Sequence, residues 1–184
     1  MVYHGSEHIR NFVPKDNCEQ SSSTKLVKKL IQERKFKNVL DLGCGNGDSV
    51  DFFKNQQKDI KWVGLDIETS PEVDSRKRTD VEFRTYDGIN IPFPDDYFDL
   101  IFCHQVFEHV EKPFELIKEI HRVMNKGAYF VESVSYLEAF HSFSTFNYTP
   151  YGFKILLSTV PLELIILRPG IDFLTLNANI QITK

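Results

Sequence analysis

The stretch Val39-Leu40-Asp41-Leu42-Gly43-Cys44-Gly45-Asn46-Gly47 (VLDLGCGNG, 39–47) runs an apolar segment straight into a glycine-rich turn. A short apolar run that ends at glycines is expected of a strand buried on both faces of a parallel sheet, so Asn38 to Leu42 reads as a first strand. The glycines let the backbone turn tightly and approach a ligand with no side chain in the way. Their spacing is G-x-G-x-G, and Asp48 stands where a dinucleotide-binding turn carries its third glycine. A carboxylate there would repel a pyrophosphate at the helix start and partly cancel the helix dipole. A phosphate-free nucleoside ligand avoids that conflict. Taken alone, such a turn could equally be structural.

Outward from this turn the pattern alternates. Asp48 to Lys54 is helix-like, and Trp62 to Ile67 (WVGLDI) is a second strand. It ends at Asp66, 21 residues after Gly45, where an acidic side chain is placed to accept hydrogen bonds from ribose hydroxyls. By itself Asp66 could also be a cap or turn residue. Val81 to Tyr86 reads as a third strand, leading into Tyr86-Asp87-Gly88-Ile89. There Asp87 could accept a hydrogen bond from an adenine amino group while Ile89 covers the ring; the competing reading is a plain Asp-Gly turn. Phe98 to Cys103 (FDLIFC) is a fourth strand and Tyr129 to Val134 a fifth. Lys112 to Met124 between them is amphipathic, with Phe114, Ile117, Ile120 and Met124 at helical spacing. Upstream, Ser22 or Ser23 could cap a helix reaching about Lys35, with Leu26, Leu30 and Ile31 on one face. Residues 1–20 are polar and irregular. Strands separated by helices predict right-handed βαβ crossovers, hence an α/β fold with a parallel sheet covered on both faces. Ligands of such sheets sit beyond the carboxyl ends of the strands, where strand order reverses.

The 184 residues fit a single domain, 1–184, with 41% hydrophobic and 26% charged residues. A net charge of −4 argues against a general binder of nucleic acid or anionic membranes. Positive charge gathers in Lys25, Lys28, Lys29, Arg34, Lys35 and Lys37, which reads as a solvated helix face, with a polyanion-docking patch as the other reading. Cys18, Cys44 and Cys103 lack C-x-x-C spacing, as expected of reduced intracellular thiols rather than disulfides or a zinc site. Met1 to Asn11 lacks the apolar segment of a signal peptide. Ile155 to Leu167, interrupted by Pro161 and Glu163, falls short of the roughly 20 apolar residues a membrane span requires. A cytoplasmic protein with no membrane span is expected.

The stretches VLDLGCGNG (39–47), VGLDI (63–67), INIPFPDDYFDLIFCHQVFEHV (89–110) and HRVMNKGAYFV (121–131) together resemble the class I S-adenosylmethionine-dependent methyltransferases, in particular the methyltransferase type 11 group. The resemblance covers roughly residues 36 to 134. It implies a Rossmann-like domain whose strands 3-2-1-4-5 are completed by an antiparallel hairpin, giving a mostly parallel seven-stranded sheet in the order 3-2-1-4-5-7-6. It implies S-adenosyl-L-methionine as cofactor and S-adenosyl-L-homocysteine as product. Asp41, Gly43, Gly45, Asn46 and Gly47 would cradle the methionine part, and Asp66 would hold the ribose. Ile67 would flank the adenine, and Asp87, with Gly88 and Ile89, would read its amino group. His104 and Gln105 would lie beside the sulfonium end. Asn125-Lys126-Gly127 replaces the family's usual Leu-Lys-Pro-Gly-Gly, which affects a turn. Little chain follows residue 150: Tyr151 to Leu157 is expected as the last helix, with Leu162 to Leu167 and Phe173 to Ile182 as strands six and seven. The domain is then either minimal or abbreviated at its C-terminus.

Methyl transfer from a sulfonium needs alignment and exclusion of water, and a hydroxyl or amine acceptor also benefits from a general base. The candidate bases are His104, His109 and His141, with Glu108 as an orienting partner, although Glu108 and His109 at a helix start read more readily as structural. His104 and His109 have no third ligand at useful spacing, so no metal is expected. His121 belongs to a helix surface or its packing. Residues 135–151 are unusually aromatic, with Tyr136, Phe140, Phe143, Phe146, Tyr148 and Tyr151 beside Glu138 and His141. A functional loop at this edge is expected to act as an acceptor-binding lid, with about half of these aromatics packing on the core instead. The stretch before Thr149-Pro150-Tyr151-Gly152-Phe153 resembles methyltransferases found alongside glycan and cell-envelope pathways, which points to a sugar hydroxyl. The expected activity is therefore O-methylation of a small-molecule or glycan acceptor. The alternative is a methyltransferase-like domain that binds cofactor or a partner without turnover. Asp48 and the Asp87 turn argue against a nicotinamide-dependent oxidoreductase, and nucleic acid is not the expected partner, since no Asn-Pro-Pro-Tyr-type motif follows strand four.

Overall fold

The computed structural model describes residues 7–13, 15, 20–136 and 143–170. Its strands are β1 (Asn38–Leu42), β2 (Lys61–Asp66), β3 (Glu82–Thr85), β4 (Phe98–His104) and β5 (Met124–Ser133). They form one sheet in the order β3-β2-β1-β4-β5, and every neighbouring pair is parallel. The helices are α1 (Glu7–Arg10), α2 (Ser23–Glu33), α3 (Ser49–Gln56), α4 (Pro71–Asp74), α5 (Pro113–Val123) and α6 (Pro150–Leu157), with a 3-10 turn at Phe107–His109.

The sheet is apolar on both faces because its central strands alternate between two cores. Leu40, Leu42, Val63, Leu65, Ile101 and Cys103 face α5 and α6, meeting Leu116, Ile117, Ile120, Phe153 and Leu156. Val39, Trp62, Leu100 and Phe102 face the other way, onto Val27 of α2 and Val50 and Phe53 of α3. Local chemistry sets the helix starts. The Ser22 hydroxyl accepts from the Lys25 amide at 3.2 Å, and Thr149 Oγ1 accepts from the Gly152 amide at 3.0 Å, with Pro150 in the first turn where its missing donor costs nothing.

Four expectations change. Leu162 to Leu167 is not a strand. Leu162 and Leu164 pack on the core beside α5 and α6, and the Leu167 amide donates to the Phe12 carbonyl at 2.8 Å. The alternation that reads as a strand is thus satisfied by packing, without a ladder partner among the described residues, and Pro161 begins the segment with no donor to give. Phe173 to Ile182 lies outside the described residues, among which the sheet has five strands. Asn125-Lys126-Gly127 is not a turn but an irregularity inside β5, where the register slips between Phe98 and Leu100. The expected irregular start contains the single turn α1. Finally, Phe114 is 52% exposed; α5 buries Leu116, Ile117, Ile120 and Val123 instead.

Candidate active site

β1 pairs with β2 on one side and β4 on the other, so the loops leaving their carboxyl ends diverge and open a crevice there. The glycine turn is pinned at its mouth. The Gly43 and Cys44 amides donate to the Leu65 carbonyl at 2.8 and 3.3 Å, and the Gly47 amide donates to the Cys44 carbonyl at 2.9 Å. Gly43 has φ +70°, and a Cβ on it would lie 2.2 Å from Val106 Cγ2 of the loop after β4, so only glycine allows the two loops to meet. Asp66 closes the unit: the Gly45 amide donates to its Oδ2 at 2.7 Å and the Ile67 amide to its Oδ1 at 2.8 Å. Burial raises the Asp66 pKa, opposed by these amides and by Arg76.

Asp41 is buried at the end of β1. The Ser49 hydroxyl donates to its Oδ2, and the Trp62 indole N–H donates to that hydroxyl at 3.1 Å. Burial pushes the Asp41 carboxyl up to about 7, against the Ser49 hydrogen bond, with nearby Asp66 adding to the rise. A carboxyl so placed gains from a cation, which fits the α-ammonium of a bound amino acid moiety. Asn46 is exposed, its Nδ2 donating to Asp48 Oδ2 at 3.0 Å. Asp87 is also exposed and closes its own turn. The Ile89 and Asn90 amides donate to Oδ1 at 2.9 and 2.7 Å, and Asn90 Nδ2 donates to Oδ2 at 2.5 Å. The Asn90 side chain first, then these amides, hold its carboxyl below the ordinary range. A Cβ on Gly88 would only just touch Ile67 Cγ2, at 4.0 Å, and Ile67 is exposed.

Across the crevice, His104 ends β4 in register with Ser133 of β5. Its ring stacks on Phe102 at 6.1 Å and 13°. His104 Nδ1 lies 2.5 Å from Ser133 Oγ and 3.1 Å from Ser23 Oγ. Because Ser22 caps α2, the neighbouring Ser23 is left to turn its hydroxyl inward, and it is buried. Gln105 follows in the left-handed region at φ +58°, its amide donating to the Ser133 carbonyl at 2.9 Å; strain of this kind persists only where surroundings impose it. His109 sits half-buried on the 3-10 turn. Glu108 is fully buried, and its carbonyl accepts from the Thr145 and Phe146 amides at 2.6 and 3.1 Å, tying down the segment after β5. Behind the edge, burial drives the Cys103 thiol and the Glu132 carboxyl well up and the Tyr148 phenol to about 12. His141, Phe140 and Glu138 lie outside the described residues. Fewer aromatics pack than expected: Tyr136, Phe143, Phe146 and Tyr151 are exposed, whereas Tyr148 meets Phe153 edge-on at 5.4 Å. Phe114, Phe146, Tyr148 and Leu156 line an open cavity of about 460 Å³. Among the described residues, no three His, Cys, Asp or Glu side chains are placed to hold a metal.

Ser23, Ser49, Ser133 and Arg76 escape the sequence reading. Ser49 alone carries a local signal, a hydroxyl in the first helical turn after the glycines. Ser23 is 81 residues from His104, and nothing local announces that contact.

A parallel 3-2-1-4-5 sheet with a glycine turn after β1 and an acidic residue ending β2 defines a class I S-adenosylmethionine-dependent methyltransferase, whose cofactor is S-adenosyl-L-methionine. A family model described as a methyltransferase domain matches residues 40–131, half of the chain, and the chain belongs to that family. It is 31% identical over 105 residues to an ajmaline N-methyltransferase of Rauvolfia serpentina, covering 52% of this chain and 35% of the relative. It is 29% identical over 99 residues to a fatty-acid O-methyltransferase of Mycolicibacterium smegmatis, covering 52% and 36%. The solved structure of the YcgJ protein from Bacillus subtilis superposes with a TM-score of 0.53 at 26% identity, covering 62% of this chain and 50% of that one. The chain thus spans about a third of the length of the two curated relatives. Among the described residues no helix is long and apolar enough to cross a membrane, and Cys44 and Cys103 are free thiols.

Proposed function

We propose that this chain methylates an oxygen of a small-molecule or glycan acceptor, releasing S-adenosyl-L-homocysteine. The observation that carries the reading is the His104 imidazole, held by the Ser23 and Ser133 hydroxyls at the crevice edge opposite Asp66. When bound, the cofactor supplies a sulfonium methyl already activated for in-line displacement. Asp66 holds the ribose hydroxyls, and Asp41 gives up its proton and pairs with the ammonium. Gly43, Gly45, Asn46 and Gly47 shape the cradle. Ile67, Asp87, Gly88 and Ile89 bound the adenine slot, and Gln105 borders the reacting end. His104 takes the proton of an acceptor hydroxyl, with its tautomer and tilt set by the two serines. Such a base matters most for an alcohol, which is a poor nucleophile while protonated. His109 and His141 are the remaining candidate bases. Of the 135–151 lid segment, the described residues 135–136 and 143–151 border the acceptor and help to exclude water. The whole chain acts as one domain in the cytoplasm, where its free thiols stay reduced.

Calorimetric titration with S-adenosyl-L-homocysteine, followed by methyl-transfer assays on hydroxyl acceptors starting with sugars, tests this. Micromolar binding lost in Asp66→Ala, with turnover lost in His104→Ala, is expected. Binding without turnover on any hydroxyl acceptor would favour the non-catalytic reading, and transfer to an amine would replace the oxygen by nitrogen.

A further inference from the structure

The crossover from β2 to β3 contains one helical turn, α4, and four residues later the chain is already at Arg78. From this short connection Arg76 reaches back to the glycine turn. Its Nε and Nη2 donate to the Gly45 carbonyl at 2.8 and 2.5 Å, and Nη2 also approaches Cys44 Sγ at 3.7 Å. The guanidinium lies over the Phe83 ring at 4.1 Å. That ring in turn fills the space beside Gly47, where a Cβ would come within 2.6 Å of it, and meets Trp62 edge-on at 5.6 Å.

Gly45 is therefore gripped at both of its polar groups. Its amide is held by Asp66 Oδ2 and its carbonyl by Arg76, which fixes it at φ +52°. Glycine enters this region freely but also leaves it freely, so some external restraint must hold the turn in one shape. A planar fork stacked on an aromatic ring provides one at small entropic cost, because its donors are pre-aligned. The same guanidinium favours the ionised form of Asp66 against the effect of burial.

We propose that Arg76 is a positioning residue of the cofactor site: through Gly45 it holds the glycine turn and Asp66 in the arrangement that receives the ribose and the methionine moiety. This rests on the cofactor-site reading given above. Arg76 touches the cradle through the Gly45 carbonyl and Cys44 Sγ and has no part in proton transfer, so its loss should affect cofactor affinity and spare the chemical step. Arg78 supplies an internal contrast. It pairs bidentately with Asp51 of α3 at 2.8 and 2.9 Å and with Asp80, yet it reaches the turn only through the Gly47 carbonyl at 3.4 Å.

The test is titration of wild type, Arg76→Ala, Arg76→Lys and Arg78→Ala with S-adenosyl-L-homocysteine, together with kcat and KM for S-adenosyl-L-methionine and thermal melts. Arg76→Ala should weaken binding about 10–100-fold and raise KM in parallel, the loss of charge-assisted bonds to one carbonyl. Its kcat at saturating cofactor should stay within about threefold. Arg76→Lys should recover part of the affinity, since an ammonium can donate to Gly45 but cannot form the stacked fork. Arg78→Ala should weaken binding less than about threefold. Equal losses in the Arg76 and Arg78 variants would mark a general loosening of the connection and overturn the proposal, as would wild-type affinity in Arg76→Ala. Failure of the wild-type protein to bind would instead sink the cofactor-site reading itself.

Discussion

The two halves of the sheet's carboxyl edge are built by different means. On the β1–β2–β3 side the site is made of backbone: the glycine turn, the amides of Gly45 and Ile67 on Asp66, and the Asp87 turn closed by its own neighbours. On the β4–β5 side it is made by contacts between segments far apart in the chain. Ser23 of α2 meets His104, and the Glu108 carbonyl holds Thr145 and Phe146 across a separation of 37 residues or more. The first half draws on loops up to 31 residues apart, and in the proposed reading it serves an invariant ligand. The second joins segments as far apart as 81 residues, and in the proposed reading it is where the acceptor is accommodated.

If the halves divide binding and chemistry as this contrast says, variants should separate cleanly. The largest effect belongs to His104→Ala, expected to lower kcat by about 10²–10⁴-fold, the usual contribution of a general base. Its affinity for S-adenosyl-L-homocysteine should be unchanged, and a matching fall in affinity would break the division. Asp66→Ala should do the reverse, weakening that affinity by about 100-fold through loss of charge-assisted bonds, read by titration. A smaller effect follows from Asp41. Because its folded carboxyl titrates near 7 and must ionise to pair with an ammonium, cofactor affinity should rise roughly tenfold from pH 6 to pH 8. Titrations at pH 6 in buffers of different ionisation enthalpy should show release of about one proton per ligand.

The smallest effect is on stability. The Asp41 pKa is raised on folding from 3.8 to about 7, so the folded state binds the extra proton. The resulting stabilisation is complete below about pH 4 and is lost as pH rises through 7. Asp41→Asn removes this dependence, and at pH 8 its melting temperature should exceed that of wild type by a few degrees while cofactor binding falls. A ligand-free variant that melts lower than wild type at pH 8 would contradict the assignment of burial as the dominant cause.

Legibility in the sequence followed the separation between contacting residues. Asn38 to Leu42 and Phe98 to Cys103 were readable as strands because burial on both faces forces continuous apolar runs. The glycine turn and Asp66 were readable because a backbone conformation leaves its mark on residue type within a few positions. Leu162 to Leu167 misled because alternation records which side of a segment is buried, and Leu162 and Leu164 pack half-buried on the core with no strand alongside among the described residues. Phe114 fitted the helical period yet faces outward, since the period admits several stripes and the partner surface selects one. Ser23, Ser133 and Arg76 act through tertiary contacts, for which a single chain carries no local sign.

Trp62 is the chain's sole tryptophan, and its indole is linked through the Ser49 hydroxyl to Asp41. A change in the charge of that carboxyl therefore reaches the one strong fluorophore across two hydrogen bonds. If Asp41 serves the cofactor as proposed, Trp62 becomes an optical gauge of occupancy: its emission should shift as the site fills and follow the protonation of Asp41 in the empty site, and both responses should weaken in Ser49→Ala.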